Sequence, residues 1–114
     1  MRLYTSIDEL LANDRPDGVV LATPNHLHVT QGLQCVAEKL PILLEKPIAT
    51  TVAEGEQLVR SAEAVGAKVL IGHHRAHSPI MAKAKEVVNS GKLGQLVAVM
   101  GSATFLKPDQ YFLD

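Results

Sequence analysis

Three segments rich in polar and ionisable residues each follow directly after a short apolar run. The apolar runs are 19–22, 41–44 and 69–72, and the polar segments after them are 23–28, 45–47 and 73–77. Together these segments carry carboxylate, ammonium, guanidinium, amide and imidazole groups, which can transfer protons or coordinate a metal ion. We therefore expect the chemistry of the chain to reside in them.

The apolar runs indicate the elements that position these segments. A run of consecutive apolar residues is typical of a strand covered on both faces, as in a parallel sheet. The spacing between the runs is close to the roughly 30 residues of a strand-helix-strand unit. Right-handed crossovers would point all three strands the same way, so the polar segments should meet at one edge of the sheet. Ligands of open α/β sheets bind at that edge.

Helices are predicted between and after the strands. Capping boxes at 6–9 and 51–54 mark two helix starts, and Gly66 suits a left-handed helix end. Apolar residues at helical spacing should face the core: Val29, Leu33, Val36, Ala37 and Leu40 in one helix, Val52, Leu58, Val59, Ala62 and Val65 in the next, and Ile80, Met81, Ala84, Val87 and Val88 in the last. The segment 95–105 is apolar on both faces and is predicted to be a strand that begins a second layer.

Composition excludes several classes of protein. The chain has 114 residues, 46% of them hydrophobic and 20% charged, which suits one modest globular domain. Its net charge of −1 includes no basic block, so we expect no nucleic-acid partner. No segment approaches the roughly 18 to 20 apolar residues of a membrane span, and the start has no signal-like apolar region, so we expect a cytoplasmic protein. The single cysteine, Cys35, excludes an internal disulfide and a thiolate zinc cluster.

The histidines allow a second interpretation of the same edge. Imidazoles can bind zinc or nickel, and His26, His28, His73, His74 and His77 all lie in the polar segments. Neither cluster contains an Asp or Glu that would complete or orient such a site. A His-rich metal-binding domain therefore remains an alternative, and we assign no metal ligand.

Four motifs in register resemble those of one known family. They are Ala22-Thr23-Pro24-Asn25-His26-Leu27-His28, Glu45-Lys46-Pro47, the basic loop from His73 to Pro79, and Gly91-Lys92-Leu93-Gly94. Their order and spacing are similar to those of the glucose-fructose oxidoreductase, inositol dehydrogenase and MocA group across nearly the whole chain. The resemblance implies an NAD(P)-dependent oxidoreductase that transfers hydride between the nicotinamide and a sugar-like or cyclitol hydroxyl.

The resemblance also implies a role for individual residues. Lys46 would be catalytic, contacting the substrate hydroxyl that loses its proton. The cofactor-binding residues would be Thr23, Pro24, Asn25, His26, Glu45, Lys46, Pro47 and Arg75, with Glu45 near a ribose and Pro47 following a cis peptide bond. From the residues alone, a solvated lysine, a surface ion pair at Glu45 and a plain Thr-Pro-Asn turn remain alternatives. The resemblance assigns no role to His73 or His74.

The same resemblance defines the expected fold and its limits. It implies an α/β fold, a parallel Rossmann-like half-sheet with flanking helices over residues 1–91, followed at 92–114 by the first strand of a truncated substrate and oligomerisation domain. The cofactor would be NAD or NADP, although the sequence has no Gly-x-Gly-x-x-Gly turn to hold a pyrophosphate. The chain thus resembles an internal segment, and we expect it to be inactive alone.

An open sheet edge predicts self-association. In the order 3-2-1-4-5-6 the three apolar runs resemble strands 4, 5 and 6, so strand 4 would lack its neighbour. We expect a homo-oligomer joined through this strand or, preferably, through 95–105. A catalytically silent α/β oligomerisation module is accordingly the competing function.

Overall fold

The computed structural model describes residues 2–112 of the chain. Its strands are β1 (Val19–Leu21), β2 (Ile42–Leu44) and β3 (Val69–Ile71), and its α-helices are α1 (Ile7–Asn13), α2 (His28–Ala37), α3 (Val52–Val65) and α4 (Pro79–Asn89). Single 3-10 turns lie at Asn25–Leu27, His74–His77 and Asp109–Phe112. The chain divides into two compact units, Met1–His77 and Ser78–Asp114.

The first unit contains a three-stranded parallel sheet in the order β1-β2-β3. Val20 pairs with Leu43, which pairs with Leu70, and the flanking positions pair in the same register. This arrangement confirms the predicted parallel α/β sheet, with each strand one residue shorter than its apolar run. The helices α2 and α3 are the crossovers between successive strands.

Helix ends follow the local signals in the sequence. Thr51 and Glu54 form a complete capping box at the start of α3, and Gly66 ends this helix with a φ of 68°. The cap of α1 is only half as predicted: Ser6 accepts from the Glu9 N–H, but the Glu9 carboxylate accepts from the backbone and hydroxyl of Thr5. Ser78 and Pro79 begin α4 as predicted.

The core lies between one face of the sheet and the helices α2 and α3. Leu21, Leu44, Leu58 and Cys35 are fully buried there. Burial also raises the pKa of the Cys35 thiol. Gly32 allows close packing of the two helices, since a Cβ at this position would lie 3.1 Å from Leu58 Cδ1.

The opposite face of the sheet is exposed, contrary to prediction. Val20, Leu43 and Leu70 are aligned across the strands and are exposed by 68%, 42% and 67%. Two right-handed crossovers that step in the same direction put both helices on one face of a sheet. The strands are therefore covered on that face alone, and the expectation of cover on both faces was wrong.

Other apolar residues are also more exposed than their spacing predicted. In α3, Val52, Val59 and Val65 are exposed, and Ala37 of α2 and all the predicted core residues of α4 are exposed too. The apolar side chains of α3 extend over a wider part of the helix than the part that packs on the core. Of the predicted core residues of this helix, only Leu58 and Ala62 are therefore buried.

The strand predicted at 95–105 is not formed. These residues have no regular secondary structure. A strand is held by hydrogen bonds to a neighbouring strand, and the strands among the described residues are β1, β2 and β3 alone, so the apolar pattern of 95–105 does not suffice. The predicted boundary at 91/92 stays a prediction, and residues 113–114 of that predicted domain lie outside the described residues.

Candidate functional site

The polar segments begin side by side at one edge of the sheet. The Glu45 N–H donates to Leu21 O at 2.9 Å, and the Gly72 N–H donates to Leu44 O at 2.7 Å. These bonds extend the parallel pairing one residue beyond each strand. The segments after β1, β2 and β3 therefore start at the same edge, as the sequence predicted.

Glu45 is directed towards the end of β3. Its carboxylate lies against Gly72, where a Cβ would be 3.1 Å from Glu45 Oε1, so a side chain at position 72 would displace it. Its Oε2 accepts from the Lys46 backbone N–H at 3.2 Å. This geometry turns the acid towards the sheet and leaves the Lys46 side chain exposed. The Lys46–Pro47 peptide bond is cis.

An open cavity of about 640 Å³ lies between the ends of β2 and β3. It is lined by Lys46, His73, His74, Arg75 and Ala76. The chain turns sharply there, because the His73 N–H donates to Ile71 O at 2.7 Å and the Ala76 N–H donates to His73 O at 2.9 Å. The structure thus brings together Lys46 and Arg75, both singled out from the sequence, and adds His73 and His74.

The loop after β1 faces a different cavity. Asn25 and His26 line a space of about 490 Å³ whose other walls come from α2, α3 and Thr50. The Thr23 hydroxyl donates to Gln31 Oε1 at 2.6 Å, and Pro24 precedes the 3-10 turn with a φ of −57°. The structure does not bring Asn25 and His26 into the cavity that Lys46 lines.

One buried histidine joins the two loops. His28 is fully buried, its Nδ1 lies 2.8 Å from Pro47 O, and its Nε2 lies 2.9 Å from Thr23 O. It thereby ties the segment after β2 to the segment after β1. Sequence reasoning considered His28 only as a metal ligand and missed this position. The spacing of His28, Gly32 and Cys35, all buried on α2, was the signal that places it on the core face.

No metal cluster is formed by the described residues. Within 2–112, no group of three or more His, Cys, Asp or Glu side chains is arranged to hold a metal ion. None of the helices in this part of the chain is long and apolar enough to cross a membrane.

Comparison with known proteins identifies the family. A family model described as "Oxidoreductase family, NAD-binding Rossmann fold" matches residues 1–73. The chain is 35% identical over 88 residues to inositol 2-dehydrogenase of Mycolicibacterium smegmatis, and 32% identical over 94 residues to that of Rubrobacter xylanophilus. These matches cover 76% and 82% of this chain, but only 26% and 27% of the relatives.

A solved structure supports the same assignment. The WlbA dehydrogenase from Bordetella pertussis, in complex with NADH and UDP-GlcNAcA, matches with a TM-score of 0.76 and 26% identity. The match covers 82% of this chain and 27% of that one. The chain therefore spans about a quarter of the length of these three proteins. Its sequence and fold together show that it belongs to the Gfo/Idh/MocA family of oxidoreductases with an NAD-binding Rossmann fold.

Proposed function

We propose that this chain contributes the nicotinamide edge of an NAD(P)-dependent oxidoreductase that acts on a sugar-like or cyclitol hydroxyl. The observation that supports this most is Lys46, which follows β2 at the carboxyl edge of the sheet and lines the cavity beside the loop after β3. Ligands of open α/β sheets bind at this edge. The relatives named inositol 2-dehydrogenase make a polyhydroxy alcohol the favoured substrate class.

Lys46 is assigned the proton transfer. Oxidation of an alcohol to a ketone removes a hydride from carbon and a proton from oxygen, and the nicotinamide supplies the hydride acceptor. In this proposal the neutral amine of Lys46 takes the hydroxyl proton at Nζ, and the ammonium returns it in the reverse direction. The Lys46 N–H donates to Glu45 Oε2 at 3.2 Å, next to the point from which the Lys46 side chain extends.

The remaining residues are assigned to the cofactor. Glu45 is proposed to accept hydrogen bonds from ribose hydroxyls, and Arg75 to lie near the nicotinamide or the substrate. The loop after β1 is proposed to hold the nicotinamide riboside through Thr23, Pro24, Asn25 and His26. Pro47 is proposed to complete this set, with its carbonyl fixed by His28. The residues present fit only the nicotinamide half of NAD or NADP, because no glycine-rich turn is available for the pyrophosphate.

Substitution of Lys46 tests the assignment. In a full-length version that carries the flanking segments of its relatives, Lys46→Met should lower turnover by roughly 10² to 10⁴, the scale of a lost general acid or base, with little change in cofactor affinity. Lys68→Met is the matched control, because this exposed lysine precedes β3 at the opposite end of the strand. Full turnover by the Lys46 variant would refute the catalytic role.

The 114-residue chain alone should lack dehydrogenase activity. Without amide contacts to the pyrophosphate, the nicotinamide half binds weakly. Titration with NADH should reveal no saturable site at micromolar concentrations. Saturable binding, or polyol oxidation that depends on Lys46, would show that this chain holds the cofactor without a glycine turn.

A catalytically silent oligomerisation module is the second candidate. The aligned and exposed side chains Val20, Leu43 and Leu70 favour it, because a bare apolar sheet face is typical of an interaction surface. We propose that copies of the chain associate through this face and the β1 edge. A full-length protein that oligomerises but oxidises no polyol with either NAD or NADP would favour this candidate.

A further inference from the structure

His28 is a buried ionisable residue to which the proposed reaction assigns no step. Its side chain is fully buried at the first position of α2. The ring Nδ1 lies 2.8 Å from Pro47 O, and Nε2 lies 2.9 Å from Thr23 O. Because both ring nitrogens face carbonyl groups of the chain, neither is available to a substrate. The ring can therefore act on a reaction only through the two loops that it contacts.

These two loops are the ones that the proposed reaction must align. Pro47 directly follows Lys46, so the contact at Nδ1 lies one residue from the proposed proton acceptor. Thr23 begins the loop that is proposed to hold the nicotinamide riboside, and the contact at Nε2 lies there. The imidazole ring is rigid and keeps its two nitrogens at a constant distance. It therefore also sets the distance between the two carbonyl groups.

The two loops are not anchored equally to α2. Thr23 has a second anchor, because its hydroxyl donates to Gln31 Oε1 at 2.6 Å. The Lys46 N–H donates to Glu45, its neighbour in the sequence, and this bond does not connect the segment to the helix. Loss of the contact at Nδ1 should therefore displace Lys46 more than loss of the contact at Nε2 displaces Thr23.

We propose that His28 is a positioning residue, which holds Lys46 through Pro47 O and the nicotinamide loop through Thr23 O at the separation that the reaction requires. This role rests on the proposed dehydrogenase function. Reacting atoms must approach to about 3 to 3.5 Å, and a displacement of about 1 Å can lower a rate by about 10²-fold. A buried ring outside the reacting centre can therefore control turnover.

Two substitutions separate the two contacts. The amide nitrogen of His28→Asn lies as many bonds from Cβ as Nδ1 does, so it can donate to Pro47 O but is too short to reach Thr23 O. The amide nitrogen of His28→Gln corresponds to Nε2 and can donate to Thr23 O, which leaves Pro47 O without its donor. Cys35→Ala is the control for lost packing, because Cys35 is fully buried on α2 but lies about 10 Å further along the helix.

NMR relaxation of the 114-residue chain tests the positioning without a cofactor. Backbone 15N order parameters report how rigidly each amide is held. His28→Gln should lower the order parameters of Lys46 and Ile48 and leave those of Thr23 and Asn25 as in the wild type. His28→Asn should lower those of Thr23 and Asn25 instead, and by a smaller amount.

Turnover of a full-length version that carries the flanking segments of its relatives tests the consequence. His28→Gln should lower turnover by about 10- to 100-fold and change the KM for the cofactor by no more than about twofold. His28→Asn should keep turnover within about threefold of the wild type and raise the KM for the cofactor by about three- to tenfold, the scale of one hydrogen bond. Cys35→Ala should change neither quantity by more than about twofold, nor any of the four order parameters.

Two results would overturn the proposal. Equal losses of turnover in His28→Asn and His28→Gln would show that the ring acts through its burial alone. Unchanged order parameters at Lys46 in His28→Gln would show that the contact with Pro47 does not hold this segment. Failure of the dehydrogenase function gives a different pattern, since the order parameters would still differ between the two variants as expected while the wild type oxidises no polyol.

Discussion

At the residue scale, His28 connects the two loops of the candidate site through its ring nitrogens. Both groups that face its ring nitrogens are carbonyl oxygens, those of Thr23 and Pro47. Carbonyls accept hydrogen bonds and a ring nitrogen donates only when it carries hydrogen, so the two bonds form together only when both nitrogens are protonated. The ring lies between the loops that hold the proposed nicotinamide riboside site and Lys46. Its position therefore fixes how far apart those loops lie.

We expect His28→Ala to lower the free energy of unfolding by about 2 to 5 kcal/mol. The substitution removes a fully buried ring and leaves at least one of the two facing carbonyl oxygens without its donor, which costs about 1 to 3 kcal/mol. Urea unfolding followed by circular dichroism measures the change. His26→Ala is the matched control: His26 is exposed, and its removal should change stability by no more than about 0.5 kcal/mol. Equal effects of the two substitutions would show that the bonds of His28 contribute little.

At the scale of elements, the start of α3 shows how a local sequence signal is realised. The Glu54 carboxylate accepts from the Thr50 hydroxyl at 2.6 Å, the Thr51 hydroxyl at 2.9 Å and the Thr51 N–H at 3.0 Å. The Thr50 hydroxyl bond, followed by that of Thr51, lowers the pKa of Glu54 below the usual value of a glutamate. The ionised carboxylate is thus part of the cap.

This cap should contribute a pH-dependent stability. Because the pKa of Glu54 is lower in the folded chain than in the unfolded chain, its contribution is present at neutral pH and is lost as the pH falls through the folded value. Urea unfolding between pH 7 and pH 3 should therefore show wild type more stable than Glu54→Gln at pH 7, with the difference shrinking on acidification. Glu63→Gln, in the last turn of the same helix, should show no comparable trend. A difference that stays constant with pH would exclude the ionised cap.

Elements with local signals were predictable from the sequence, and features that need a distant partner were not. The caps of α3, its Gly66 end and the strand order follow from neighbouring residues or from the chirality of crossovers. The exposure of Val52 and the absence of a strand at 95–105 depend on which surfaces are available to pack or pair. The same limit applies at the site. The polar edge followed from the strand ends, but the contact of His28 with Pro47 joins residues 19 positions apart.

At the scale of the molecule, the sheet is strongly asymmetric. One face is covered by α2 and α3, whereas Val20, Leu43 and Leu70 form an exposed apolar row across the other. The order β1-β2-β3 also leaves β1 at an outer edge. Exposed edges and apolar faces of this kind recruit further chains. Because residues 95–105 form no strand, β1 and the exposed apolar row replace them as the expected interface.

We therefore predict that the chain forms a dimer or larger homo-oligomer at low micromolar concentration. A two-fold axis would place the same edge and the same apolar row of two copies against each other, removing both from water. Light scattering on a size-exclusion peak measures the mass. Val20→Lys should shift the peak to the monomer, because a charged side chain on an edge strand opposes pairing. Val97→Lys adds the same charge at a residue that is 93% exposed and should leave the oligomer intact. A folded, monodisperse monomer of the wild-type chain would rule out association through this surface.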